Sequence, residues 1–206
     1  MTLAIPLLRS EFLGSELLGS DLNEGDQTLA GRFAAGEAGA FEEVVVVYQA
    51  RVARLAQRLL GWNGDAEDVA QDVFLDALTA ARRFRGESSL WTWLSTITVN
   101  RCRRRARRSA VTRRFRQWLK RTPDDVALPA DVGAIVQERC SAVRRAVSSL
   151  PAREREAVVL FYLEGLSVDE MSRVLRASPN AISVRLHRAR EKLASTLSSL
   201  KTEDVK

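Results

Sequence analysis

Cysteine and histidine are nearly absent from this chain, which has two of the first, Cys102 and Cys140, and one of the second, His187. The cysteines lie far apart and form no CxxC or Cys/His cluster. That excludes a zinc motif and points to a reduced, cytosolic protein with no metal and no cofactor. Two unpaired thiols are expected rather than a redox pair. Long apolar runs are missing as well: no stretch approaches the roughly 18 residues that span a bilayer, so membrane insertion is not expected. Residues 1–26 carry short apolar patches without a basic start or a sustained apolar segment, which predicts no export signal. Glycine and proline are scarce, at 11 and 5 of 206 residues, and alternating Val/Ile/Thr patterns hardly occur, which disfavours sheet.

Helical pattern and localised charge are what remain. Hydrophobic residues make up 46% and charged ones 28%, a composition that folds. A chain of 206 residues suffices for one ordinary domain or two small ones. The net charge is +6, from 32 basic and 26 acidic residues. Its distribution matters more than its sum, because residues 101–121 hold eleven Lys/Arg and no acid, whereas residues 65–76 are acidic. Localised basic charge is the footprint of a nucleic-acid partner.

Apolar residues at Phe41, Val44, Val45, Tyr48, Val52, Leu55 and Leu59 recur at helical spacing and predict a helix over 40–60, with Val44 to Val47 a local misfit. A second helix is predicted over 66–82, capped by Asp65, and a third from Leu90 into the arginine run. Periodicity fades over 109–134, where Pro123, Pro129 and Gly133 mark a linker. Four helical stretches follow, at 135–148, 152–163, 167–175 and 179–200. The expected fold class is all-α: two small helical domains joined by a flexible linker. The divisions are an N-terminal extension over 1–28, a first module over 29–108, the linker over 109–134, a second module over 135–200 and a tail over 201–206.

The second module carries the sharpest local signal. Ser167 followed by Glu170 is a capping box. Ser178 caps a following helix with Pro179 at its first position, where a missing N–H costs nothing. Two helices joined by a short turn make a helix-turn-helix. Ile182, Leu186, Ala189 and Leu193 fall on one stripe and point inward. Asn180, Ser183, Val184, His187 and Arg188 are left for base edges in a major groove, with Arg185 and Arg190 placed for phosphates. An amphipathic hairpin with a solvated basic face is the plainer alternative.

In the first module, at about 100° per residue, Val69, Ala70, Val73, Phe74, Ala77 and Ala81 share one side of the helix. Asp68, Gln71, Asp72, Leu75 and Thr79 share the other. A large apolar residue inside an acidic face suits a protein contact, although acids facing water need no function. On the third helix Leu90, Leu94 and Ile97 point inward beside a polar strip of Thr96, Asn100 and Arg103. Trp91 and Trp93 next to arginines offer stacking surfaces for unpaired bases; for Trp93 a core position is the expectation.

These residues resemble a known family. Asp65-Ala-Glu-Asp-Val-Ala-Gln-Asp-Val-Phe-Leu, Phe84-Arg-Gly and Trp93-Leu-x-x-Ile-x-x-Asn-Arg-Cys-Arg are similar to region 2 of the extracytoplasmic-function (ECF) sigma factors. Leu150-Pro-Ala-Arg-Glu-Arg-Glu-Ala-Val-Val-Leu, Gly165-Leu-Ser and Arg185-Leu-His-Arg-Ala-Arg-Glu-Lys-Leu are similar to region 4. The resemblance spans roughly residues 29–197 and has both regions in order. It implies a cytoplasmic initiation factor whose partners are promoter DNA, core RNA polymerase and an anti-sigma factor. The polymerase contacts are the coiled coil of its largest subunit and the flap of its second-largest. Polymerase binding falls on Asp68, Gln71, Asp72 and Leu75. The promoter −10 element falls on Phe84, Arg85, Gly86, Ser88, Ser89, Thr96, Asn100, Arg103 and Arg104. The −35 element falls on Asn180, Ser183, Val184, Arg185, His187 and Arg188.

The chain departs from the family where many members carry Gly-Thr in place of Asn180-Ala181, and often a basic residue in place of Ser183. Residues 1–28 have no counterpart: they are a disordered lead, a regulatory helix or the product of an upstream start codon. The runner-up is a free-standing helix-turn-helix regulator, which leaves Leu75 in its acidic face unexplained. A DNA-processing enzyme such as a recombinase needs a nucleophile or metal site that the pattern does not supply, so a non-catalytic subunit is expected.

Overall fold

The structure, a computed structural model, describes residues 23–62, 65–119 and 134–203. The expectations for 1–22, 120–133 and 204–206 lie outside the described residues. Among the described residues there is no strand, and no helix is long and apolar enough to cross a membrane.

The first helix, α1 (Asn23–Ala34), starts inside the stretch that the sequence left as an extension. It buries Leu29 and Phe33, one helical turn apart. Two apolar anchors among Gly25, Asp26 and Gly31 give too little periodicity to read without tertiary contacts. Helix α2 (Ala40–Leu60) buries Ala40, Val44, Tyr48, Val52, Leu55, Ala56 and Leu59, the three-and-four spacing of a core-facing stripe. The Val44–Val47 run is helical because burial of alternate turns outweighs β-branched propensity, leaving Val46 and Val47 outside. Gly61, at φ 76°, ends it. Its N–H donates to Arg58 and that of Trp62 to Gln57, which satisfies the last carbonyls in a Schellman arrangement.

Helix α3 (Ala66–Ala80) buries Val69, Ala70, Val73, Phe74 and Ala77 and tightens into a 3-10 turn at Ala81–Arg83. Asp65 precedes it without making the expected side-chain cap. Its carboxylate is taken by Arg105, 2.9 Å away, because an ion pair across the module competes for the same oxygens. Helix α4 (Leu90–Leu119) runs for 30 residues, eleven beyond the sequence boundary at 108. Fading apolar periodicity there did not mark the end of the helix, since periodicity reports a face to bury and not helix formation itself.

The second module begins with α5 (Ala134–Ser149) and α6 (Ala152–Val158), the latter widening into a π-helical turn at Val159–Leu163. Then come α7 (Val168–Leu175) and α8 (Pro179–Glu203). Leu160, Met171, Val174, Ile182 and Leu186 form the centre of its core. The two modules touch, with α7 lying on α4 and the α6 end and π turn on α2.

Candidate nucleic-acid and polymerase interfaces

The helix-turn-helix forms as its caps require. The Ser167 hydroxyl accepts the Glu170 N–H while a Glu170 oxygen accepts the Ser167 N–H at 2.8 Å, so two orphan donors of α7 are satisfied together. Arg176 closes α7 in the left-handed region at φ 51°. Ser178 Oγ then accepts the Ala181 N–H at 3.3 Å to start α8. Ile182, Leu186, Ala189 and Leu193 are buried as expected. Asn180, Ser183, Val184, His187 and Arg188 are exposed on the outer face, and Ser183, Val184, His187 and Arg188 share one shallow concavity with Glu191. The Ser183 hydroxyl is engaged with the Pro179 carbonyl at 3.0 Å, and His187 Nδ1 is 3.5 Å from Glu191.

Arg185 and Arg190 differ from each other. Arg190 Nε donates to the Tyr162 hydroxyl at 2.7 Å, which holds the guanidinium beside the helix. Arg185 is half-buried, with one terminal nitrogen buried and without a hydrogen-bond partner among the described residues. A buried unpaired guanidinium nitrogen is costly. Arg185 is thus less open to a phosphate than its place in the sequence implied.

The loop before α4 and the start of that helix hold the residues expected at the −10 element. Arg85 and Gly86 are exposed and Ser88 is half-buried. Phe84 is 5% exposed, with its ring 5.6 Å from Phe33 and 5.3 Å from Trp93. Packed in this way without DNA, the ring fixes the root of the loop. Trp93 belongs to the same cluster, in the core position expected of it. Ser89 caps α4, its Oγ accepting the Thr92 N–H at 3.1 Å. Thr96 is half-buried and donates to the Thr92 carbonyl. Asn100 and Arg104 are exposed. Arg103 is occupied, donating to both oxygens of Glu156 at 2.8 and 2.6 Å. The Cys102 thiol is buried and burial pushes its pKa up to about 12, so it is an inert core residue.

On α3, Asp68, Gln71 and Asp72 are exposed and Leu75 is 62% exposed, as its place in the acidic face implies. The sequence missed its companions. Leu78 is 54% and Val46, across on α2, 71% exposed. Phe41, Val45, Ala53, Phe74, Leu75 and Leu78 line one open groove between α2 and α3. The signal was present in the apolar run of α2, which has more valines than one buried stripe needs. Asp72 lies 3.2 Å from Arg101, and the same guanidinium grips Asp76, whose hydrogen bonds hold that carboxyl below the usual range.

A helix-turn-helix, an arginine-rich helix and an acidic face edged with exposed leucines define a two-module helical protein of the DNA-binding class. Comparison with known proteins gives the family. The sigma-70 region 2 profile matches residues 44–112 and the sigma-70 region 4 profile residues 140–193. The chain is 33% identical to the ECF RNA polymerase sigma-E factor of Escherichia coli, over 85% of this chain and 95% of that one. It is 30% identical to the RNA polymerase sigma-H factor of Pseudomonas aeruginosa, over 87% and 97%. Among solved structures, CnrH in complex with the cytosolic domain of CnrY aligns with a TM-score of 0.62 at 28% identity, covering 85% of this chain and 99% of that one. The sigma factor RpoE in complex with the anti-sigma factor NepR from Bartonella quintana aligns at 0.61 and 25%, over 78% and 98%. The chain belongs to the ECF group of the sigma-70 family: it is a sigma factor, directing transcription initiation at promoters.

Proposed function

We propose that the chain joins core RNA polymerase through the α3 face of Asp68, Gln71, Asp72 and Leu75, extended by Leu78. The single observation that carries this is the pair of exposed leucines beside an apolar groove and amid carboxylates. Such a surface is complementary to a basic, partly apolar coiled coil, and leaving it open to water would favour aggregation. The first module, over 29–108, then opens and reads the −10 element. Arg85, Gly86, Ser88 and Ser89 form the loop that receives a base, and Thr96, Asn100, Arg103 and Arg104 the adjoining helix. The second module, over 135–200, reads the −35 duplex with Asn180, Ser183, Val184, His187 and Arg188 and docks on the polymerase flap. The chain is a cytoplasmic, non-catalytic initiation subunit. An anti-sigma factor that covers the same α3 face is its regulator, a reading supported by the two similar sigma factors, each solved with a bound partner.

Co-purification with core polymerase tests the assignment. Wild-type chain is expected to be retained and Leu75→Asp to be lost while keeping its helical circular dichroism. Retention of both variants alike would move the docking surface elsewhere.

A further inference from the structure

Among the described residues of the second module one large apolar side chain stands exposed: Val184, at 41%. The other exposed aliphatics, Val46, Val47, Leu75 and Leu78, belong to the first module. Val184 lies on the outer face of α8, in the concavity it shares with Ser183, His187, Arg188 and Glu191. Two of these neighbours are already engaged. The Ser183 hydroxyl donates its one proton to the Pro179 carbonyl at 3.0 Å, which leaves it only lone pairs to offer. His187 Nδ1 faces the Glu191 carboxylate at 3.5 Å. Arg188 is exposed and has no partner among the described residues. The concavity therefore presents two uncommitted groups, an aliphatic end and a guanidinium fork. We propose that Val184 reads the 5-methyl group of a thymine in the −35 duplex, within about two base pairs of a guanine held by Arg188. This deepens the reading of α8 given above and rests on it.

Thymine carries the only methyl group that the four bases show in the major groove. A valine end has no donor or acceptor, so against an N–H or carbonyl edge it strips water and returns no hydrogen bond, which costs free energy. Against a methyl group both apolar surfaces leave water together, which is favourable. Arg188 needs the opposite partner, because its fork matches the O6 and N7 acceptors of guanine. The two side chains are four residues apart, a rise of about 6 Å along one face of α8. Base pairs are about 3.4 Å apart, which puts both contacts on one short stretch of groove. β-Branching sharpens the choice. Valine in a helix holds essentially one χ1 rotamer, so its methyl groups point in a fixed direction.

The test uses the full chain bound to core polymerase and a library of promoters randomised in the upstream element. In the selected element each thymine is then replaced, one at a time, by deoxyuridine, which keeps the hydrogen-bonding groups and lacks only the methyl. At one thymine this exchange should lower affinity about fourfold, the worth of one buried methyl group. Val184→Ala, which shortens the side chain, should abolish that sensitivity while keeping the guanine preference and the thermal unfolding of wild type. Val184→Ile, which keeps the aliphatic end, should retain the sensitivity. Arg188→Ala should do the reverse of Val184→Ala, losing the guanine preference and keeping the methyl effect. A selected element without thymine, deoxyuridine tolerated at every position, or a methyl effect that persists in Val184→Ala would overturn the proposal. Failure to select any upstream element would instead overturn the reading of α8.

Discussion

Glu170 uses one carboxylate oxygen to accept the Ser167 N–H at 2.8 Å and the other to accept the Thr92 hydroxyl at 3.0 Å. The residue that starts the helix-turn-helix is therefore also bonded to α4, the helix proposed to carry the −10 surface. Cap and inter-module contact share one side chain, so they are broken together.

Replacing Glu170 by Gln leaves one acceptor oxygen for two donors and should cost about 0.5–1.5 kcal/mol, the net worth of one hydrogen bond, read as a lower urea midpoint. Burial raises the Glu170 pKa, but the bonds from Ser167 and Thr92 outweigh it and the net direction is down. A carboxyl depressed in the folded state contributes stability above its ordinary pKa and loses it as pH falls through the folded value. Wild type should thus lose more stability than Glu170→Gln on acidification below the ordinary glutamate range. Parallel pH profiles would contradict this.

Leu75→Asp places a charge where an apolar contact is expected. Burying a leucine is worth about 1.5–3 kcal/mol, so affinity for core polymerase should fall by roughly tenfold or more, measured by titration of labelled chain. Thermal stability should stay within about 0.5 kcal/mol, as for other exposed positions.

Arg188→Ala should cost about 1–3 kcal/mol at promoters carrying a guanine beneath it and relax preference at one base pair. Binding across a promoter library measures this. An equal loss at every sequence would make Arg188 a phosphate contact.

Phe84→Ala should act on the fold. Its ring is packed between Phe33 and Trp93, and removing a core phenylalanine costs about 3–5 kcal/mol. The expected result is a large drop in the unfolding midpoint, with −10 reading lost only as the first module unfolds. Unchanged stability with weakened −10 binding would restore the ring to the DNA surface.

How far the sequence reached depended on the range of the interaction. Ser167–Glu170 and Ser178–Pro179 are local, and both caps form as read. The stripes of α2, α3 and α8 were legible because each buries one face at helical spacing. Phe84 could not be placed from sequence, since its burial depends on Phe33 of a helix with only two anchors. Asp65 followed a capping rule until Arg105, forty residues on, claimed its carboxylate. The Glu156–Arg103 and Glu164–Arg58 pairs link positions 53 and 106 residues apart, and no local pattern announces them. The polar strip of Thr96, Asn100 and Arg103 was legible, but not that Arg103 is already paired with Glu156.

Transcription in vitro, with core polymerase, a randomised promoter library and sequencing of the transcript starts, tests the central claim most directly. Core plus the wild-type chain should initiate from promoters that share two elements at a fixed spacing. Leu75→Asp should abolish those starts, and Arg188→Ala should alter only the upstream element. Starts identical to those of core enzyme alone, or selected promoters with a single shared element, would contradict the account.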